Sequence, residues 1–486
     1  MDDLNVLRVT DFYGGISPRI HKGVRGSFAY GQNLNIRENN TLKCNQALVK
    51  DSGTVVTDMV RVIIKVSGMY FAFGLGGKVY RKIGEAGAWV LMYTDAEEIT
   101  GAIEYTSASN RYILFATATY LKKITVNNAV SQSENKWVAP NIITVDPFQY
   151  GTPVSSGGKG HFMRYFNGGV NIADDNLIAY YGYDDSFNNA ALTLTSELIM
   201  KSFLDRNDRL IIGTGNSDAQ FLTWDGLLPS WITKKTAQGN GINGMEFYES
   251  GIVAQVGNNG DLKYWNFAET SPLTRIPGTK NIYPYGITSN NGIVHMGMNG
   301  GTKNGVYTLG RLDLNDPRAL NLEYVPSHGK ITGTEIGCVF TDGTYTFVSW
   351  KDGTTYGIDK LSSTVKADAV YESLVTNLDK SEQEKFIRHV KITLKEPLPA
   401  GCSVSLEYKA SRVTTEDAAN DDASGWVPTK MSDDREAINV AGETKGIFDL
   451  EAMGENVQLR IKLFHFENAT PEIDSYNIYF DYNNSI

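Results

Sequence analysis

One pattern constrains this chain more than any other. A short two-stranded unit, built around a small or polar turn, returns seven times. It reads as "SGMYFAFGLGGKVYRKI" from Ser67, "SNRYILFATATYLKKITV" from Ser109, "NGGVNIADDNLIAYYG" from Asn167 and "NDRLIIGTGNSDAQFLTW" from Asn207. Three more copies are "SGIVAQVGNNGDLKYWN" from Ser250, "NGIVHMGMNGGTKNGVYTL" from Asn291 and "DGTYTFVSWKDGTTYGIDKL" from Asp342. Several are preceded by a half-apolar segment such as "GAIEYTSA", "NGMEFYE" or "EIGCVFT". Start-to-start separations run from 40 to 58 residues. Three or four strands in a repeat of that length point to a β-propeller. A lone four-stranded blade cannot cover both of its apolar faces. Stacking blades around an axis covers them, and closing the ring leaves no terminal face bare. Such strands should be apolar on both sides, as "RVIIKV", "YILFA", "RLIIG" and "GIVAQV" are. The expectation is a propeller of six or seven blades over residues 51–371, with another all-β arrangement as the alternative.

Composition agrees with an all-β chain: 48 glycines, 26 tyrosines and 20 phenylalanines among 486 residues. The two ends break the rhythm. Residues 1–50 read as an extended arm followed by a hairpin turning near Glu38 and Asn40, and carry a basic patch of Arg19, His21, Lys22 and Arg25. From residue 372 to 486 the strands alternate instead. In "KFIRHVKITLKEPLP", Phe386, Val390 and Ile392 would share one face, with His389 and Lys391 on the other. That rhythm predicts a C-terminal β-sandwich. Charge marks the same boundary. The chain carries −10 overall, and 21 acidic against 12 basic residues lie beyond residue 371.

The acidic balance argues against non-specific attraction to nucleic acid or to anionic membrane, and no specific nucleic-acid binding is expected. No apolar run is long enough for a membrane anchor, and "MDDLNVLRV" does not read as a secretion signal. Cys44, Cys338 and Cys402 lie far apart with no zinc-type spacing.

Two blocks support a comparison. Phe12, Gly14, Gly15, Ile16 and Pro18 form "F-x-G-G-I-x-P", followed by Ala29, Asn33, Leu34, Ile36 and Leu42. With the closing block from "SLVTNLDKSEQEKFIRHVKITLKE" to "IDSYNIYFDY", this resembles structural propeller proteins of tailed bacteriophages, similar to tail tubular protein B and the head-completion proteins of short-tailed phages. The N-terminal match covers about 50 residues and the C-terminal one about 110. The resemblance implies a virion component of tail, neck or baseplate, assembled in the host cytoplasm. It implies a homo-oligomeric ring that contacts other virion proteins, with DNA passing nearby and no catalytic residues. The assembly arm would then be carried by Phe12, Gly14, Gly15, Pro18, Arg19, Lys22 and Arg25.

The search for chemistry gives little. Glu104, Asp205, Glu246 and Glu335 lie just before hairpins and are candidates for a carboxylate pair in a central funnel. The oxygen-rich runs Glu416–Asp422 and Asn171–Asn176 suggest calcium, without EF-hand spacing. No cofactor, metal or catalytic residue is assigned, and the chain is not expected to be an enzyme. The alternative is binding or hydrolysis of a host-surface glycan, with Trp231 and Trp426 as stacking residues.

Overall fold

Each quoted hairpin becomes the second and third strands of a four-strand set, and the half-apolar segment before it becomes the first. In the computed structural model the chain is 59% strand and 2% helix, arranged as a β-propeller. The structure describes residues 4–38, 40–108, 110–130, 137–150, 160–216, 219–276, 278–311, 313–378, 383–410 and 425–482. The acidic run Glu416–Asp422 lies outside them.

The chain divides into two compact units, neither continuous in sequence. One comprises Val49–Val306 and Pro326–Lys360 and holds the propeller blades. Five four-stranded antiparallel sheets follow one another, opening with Val60–Val66, Ile99–Thr106, Met163–Phe166, Leu198–Arg206 and Ile242–Tyr248. Another is opened by Thr334–Thr341. Between the fifth and the last stands Ile287–Asn290, paired to Ile293–Met298. These seven first strands are neighbours in sequence order, and the last returns to the first. Residues before the first blade close the circle: the N–H groups of Asp51 and Ser52 donate to the Ile358 carbonyl at 2.9 and 3.1 Å.

Turn chemistry sets the hairpins. At Ser67-Gly68, Asn167-Gly168 and Asn291-Gly292 both residues have φ between 49° and 77°. Those are the dihedrals that match the right-handed twist of the flanking strands. Second strands of these sets are buried on both faces, as expected: Met69–Gly74, Gly169–Asp174 and Gly251–Val256 are buried throughout. Outermost strands such as Thr233–Thr236 and Thr270–Arg275 are largely exposed. Five of the interfaces between successive sheets have their own apolar clusters. Phe71, Phe73, Ile113, Phe115 and Trp137 fill the first, and Phe221, Ile252 and Trp265 a later one.

A device that the sequence did not announce recurs in the first strands. Five of them slip register against the second strand near their start, around Arg61, Thr100, Lys201, Asn243 and Gly337. A bulge adds local twist and bends the strand. Repetition of the bulge gives each sheet the same bend where the sheets crowd together.

The other unit comprises Met1–Leu48, Tyr307–Val325 and Leu361–Ile486. The boundaries read from sequence, 50/51 and 371/372, therefore differ from those in space. Residues 307–325 leave the repeat region because their strand pairs with Tyr30–Gln32, in parallel at Leu322 and Gln32. The N-terminal residues are likewise woven into C-terminal strands: Asn5–Val9 runs antiparallel to residues 476–480, and Leu42–Cys44 pairs Glu472 and Ile473. Strands here alternate, as in the buried–exposed pattern of Lys445–Gly454. One face assignment needs correction. A bulge between Ile387 and His389 resets the phase, so Ile387 rather than Phe386 joins Val390 and Ile392 in the core.

Candidate functional site

In the propeller unit the candidate site is set by the loop Tyr283-Pro284-Tyr285-Gly286. The loop is a tight turn, with Gly286 N–H donating to Tyr283 O at 2.8 Å. Tyr285 packs against three of the inter-sheet apolar clusters. Its ring stacks on Phe162 at 4.6 Å, its hydroxyl accepts the Met163 N–H at 3.0 Å, and its carbonyl accepts the Val339 N–H at 3.1 Å. Tyr285 thus sits where several first strands converge. Tyr283 points elsewhere: its hydroxyl donates to Glu335 at 2.9 Å, and the Arg61 guanidinium covers its ring at 3.3 Å.

The four carboxylates named from sequence all lie on first strands, as a funnel reading requires, and each has different surroundings. Glu104 pairs with Arg111, and Glu335 with Tyr283 and Lys351. Asp205 is exposed. Glu246 lines a recess, where burial pushes its carboxyl pKa upward. None of them is bonded to a group that another uses, among the described residues. Paired acid–base hydrolysis needs two carboxyls facing one bond.

The sequence reading missed one buried constellation. His161, fully buried, has Nδ1 2.7 Å from Thr100 Oγ1 and Nε2 3.6 Å from Asp174 Oδ1. The order of groups resembles a nucleophile–base–acid relay. Phe148 stacks on the imidazole at 3.9 Å, and Asp174 is as buried as His161, so the described residues leave no open side for a substrate. It joins one first strand to the chain entering the next.

Lys280 is the second such group. It is 1% exposed, and its ammonium donates to Gly300 O at 2.8 Å, Asn304 Oδ1 at 2.6 Å and Thr302 O. None of these acceptors is charged. Burial, with Lys303 adding repulsion, pushes its pKa down to about 7 from the ordinary 10.5. The folded chain therefore holds this proton less tightly than the unfolded chain. The penalty is complete below about pH 7 and is relieved as pH rises toward 10.5. Across that window one proton gives a slope of at most about 1.4 kcal/mol per pH unit. Lys280→Met removes the titration. The stability of the wild type relative to this variant is expected to rise between pH 7.5 and 9 in urea titrations (~2 kcal/mol in total). A pH-independent difference would contradict the assignment.

In the other unit, the residues of the N-terminal motif are structural anchors. Phe12 is fully buried, edge-on to Tyr371 at 5.7 Å and near Tyr476 at 6.2 Å. A Cβ on Gly14 would lie 2.4 Å from Ser27 N, and one on Gly15 (φ +74°) 2.5 Å from Leu320 N. Asn33 donates to Asp368 O at 3.0 Å and accepts the Val325 N–H at 3.1 Å. Beyond the motif the chain surfaces. Pro18, Arg19, His21, Lys22 and Arg25 are exposed. Arg25 pairs with Asp11 at 2.7 Å, and His21 borders a cleft of about 600 Å³ that Leu7, Arg8 and Val375 also line.

The tryptophans named for stacking are both half-buried. Trp231 packs against an inter-sheet cluster, and Trp426 already carries Arg460 at 4.2 Å and Lys409 at 4.6 Å on its ring. Trp265 and Trp350 are core. Among the described residues, no group of three His, Cys, Asp or Glu is placed to hold a metal, and no helix is long and apolar enough to cross a membrane.

No protein-family model matches the chain, and no curated protein matches it. Solved structures that resemble it include a computationally designed protein, Ika8, at 10% identity, covering 65% of this chain and 99% of that one with TM-score 0.42. The WD40 β-propeller domain of Doa1 aligns at 11% identity over 65% of this chain and 98% of that one, TM-score 0.44. The extracellular domain of the one component system BT4673 from B. thetaiotaomicron aligns at 12% over 73% of this chain and 44% of that one, TM-score 0.45. Likenesses this distant say nothing of activity or partners.

Proposed function

We propose that this chain is a structural subunit of a bacteriophage tail, neck or baseplate, working through assembly into a ring rather than through catalysis. One observation carries the reading. The residues on which the resemblance to phage propeller proteins rests are those that organise the unit holding both chain ends: Phe12 in its core, Gly14 and Gly15 at backbone contacts too close for a side chain, and Asn33 bridging two distant segments. A motif kept by folding is a better indicator of common architecture than a match of exposed residues. The propeller unit supplies a stiff wall, because its strands are buried on both faces.

The burial of Phe12 changes which part of the N-terminal segment can serve assembly. The anchors through Ile16 hold their own chain, and the exposed turn with Arg19 and Lys22 is the part left to meet an acidic surface on a neighbour. The double charge reversal Arg19→Glu, Lys22→Glu is therefore expected to leave the melting temperature within a few degrees and to abolish oligomers in native mass spectrometry. Rings of unchanged size from this variant would remove the turn from assembly. A wild-type chain that stays monomeric at every concentration, and is absent from purified particles, would remove the structural reading itself.

A further inference from the structure

The propeller unit contains a cavity of about 280 Å³ in which Tyr285 and Pro284 take part, bordered by residues of the first strands. Ile64, Phe203, Leu204 and Val339 make its sides apolar, and two charged side chains enter it, Arg164 and Glu246. Arg164 has no hydrogen-bond or ion-pair partner among the described residues. Glu246 accepts the N–H of the adjacent Phe247 at 2.8 Å through Oε1, and its other oxygen is unused among them.

The Arg164 guanidinium is half-buried and its charge acts on Glu246 across the cavity, but its hydrogen-bond donors remain available to an anion among the described residues. Its planar fork favours a carboxylate or phosphate held by two parallel hydrogen bonds. Glu246 decides between these, since a dianionic phosphate beside a carboxylate is repelled, whereas a ligand with a donor next to its carboxylate is held at both ends. The apolar sides contributed by Ile64, Phe203, Leu204 and Val339 favour a ligand with an apolar side chain over a sugar, whose hydroxyl groups would find fewer partners there. The size sets the last limit: the volume is that of roughly nine waters at about 30 Å³ each, at the lower edge of small-ligand pockets. We propose that this cavity binds one apolar amino-acid residue bearing a free carboxylate. The carboxylate sits on Arg164, the residue's ammonium or N–H on Glu246, and its side chain against Ile64, Phe203, Leu204 and Val339. The same chemistry is offered by a free amino acid and by the last residue of a polypeptide.

Calorimetric titration of the full chain with three probes tests this: L-phenylalanine, a hexapeptide ending in phenylalanine with a free carboxylate, and the same hexapeptide amidated. At least one free-carboxylate probe is expected to saturate, and the amide to bind at least tenfold more weakly. Saturation by L-phenylalanine alone identifies a free amino acid, and saturation by the hexapeptide alone a chain terminus. Arg164→Gln should weaken the binding tenfold or more. Glu246→Gln, which preserves shape, should weaken it severalfold and serves as the test if Arg164→Gln does not fold. The proposal is overturned if neither free-carboxylate probe saturates at millimolar concentration, if the amide binds equally, or if both variants bind like the wild type.

Discussion

Gly101→Ala is expected to destabilise the propeller unit by more than about 3 kcal/mol, the upper end of what one inserted methyl group costs in a packed interior. The added Cβ would lie 1.9 Å from the His161 carbonyl oxygen and 3.2 Å from the Tyr285 hydroxyl. The nearer atom is backbone, so no rotamer change relieves the clash. Moving that carbonyl displaces the imidazole from Thr100 and from beneath Phe148, and shifts the entry to the strand at Met163. Gly337→Ala should behave alike, because its Cβ would fall 2.0 Å from Val60 O. Gly53, with φ +55° and nothing within 4 Å of an added Cβ, is the control. Alanine there costs only the left-handed backbone penalty, about 1 kcal/mol. Urea unfolding followed by tryptophan fluorescence measures all three. A Gly101→Ala midpoint indistinguishable from that of the wild type would mean that the first strands are not as closely packed as described.

These two glycines show what could be read before the fold was known and what could not. The hairpins were legible because their determinants are local: Asn167-Gly168 and Asn291-Gly292 specify turns, and runs such as "GIVAQV" specify strands buried on both sides. The bulges at Thr100 and Gly337 were not, because register belongs to a pair of strands and neither sequence states it alone. For the same reason Phe386 was assigned to the core where Ile387 belongs. Residues 1–50 read as an extended arm and hairpin because they do not repeat; their partners lie far along the chain, from Leu322 opposite Gln32 to residues 476–480 opposite Asn5–Val9. Gly14-Gly15 was the available hint, since two adjacent glycines before an apolar residue suggest close backbone approach. The candidate sites were less legible. The placement of Glu104, Asp205, Glu246 and Glu335 on first strands followed from the repeat, but their different surroundings did not. Arg164, the Thr100–His161–Asp174 contact and Lys280 carry no local signal at all, because each acquires its role from residues of other strands or loops.

The other large effect is expected in the unit holding both chain ends, where Arg37→Met should cost about 3–5 kcal/mol, the usual loss when one partner of a buried ion pair is removed. The side chains of Arg37 and Glu323 are 8% and 10% exposed and are paired directly. The guanidinium also donates to Thr308 Oγ1 at 2.9 Å and Ala319 O at 3.3 Å, while Asn45 donates to the other Glu323 oxygen at 2.8 Å. The cluster thus ties residues 37–45 to the strand Ala319–Tyr324, which is buried throughout. In Arg37→Met the buried Glu323 carboxylate loses its guanidinium partner while Asn45 still donates to it, which is the costly case of breaking a buried pair from one side. Adding Glu323→Gln should recover part of the loss, so that the two changes together cost less than their sum. Additive losses in the double variant would show that Arg37 contributes by packing alone.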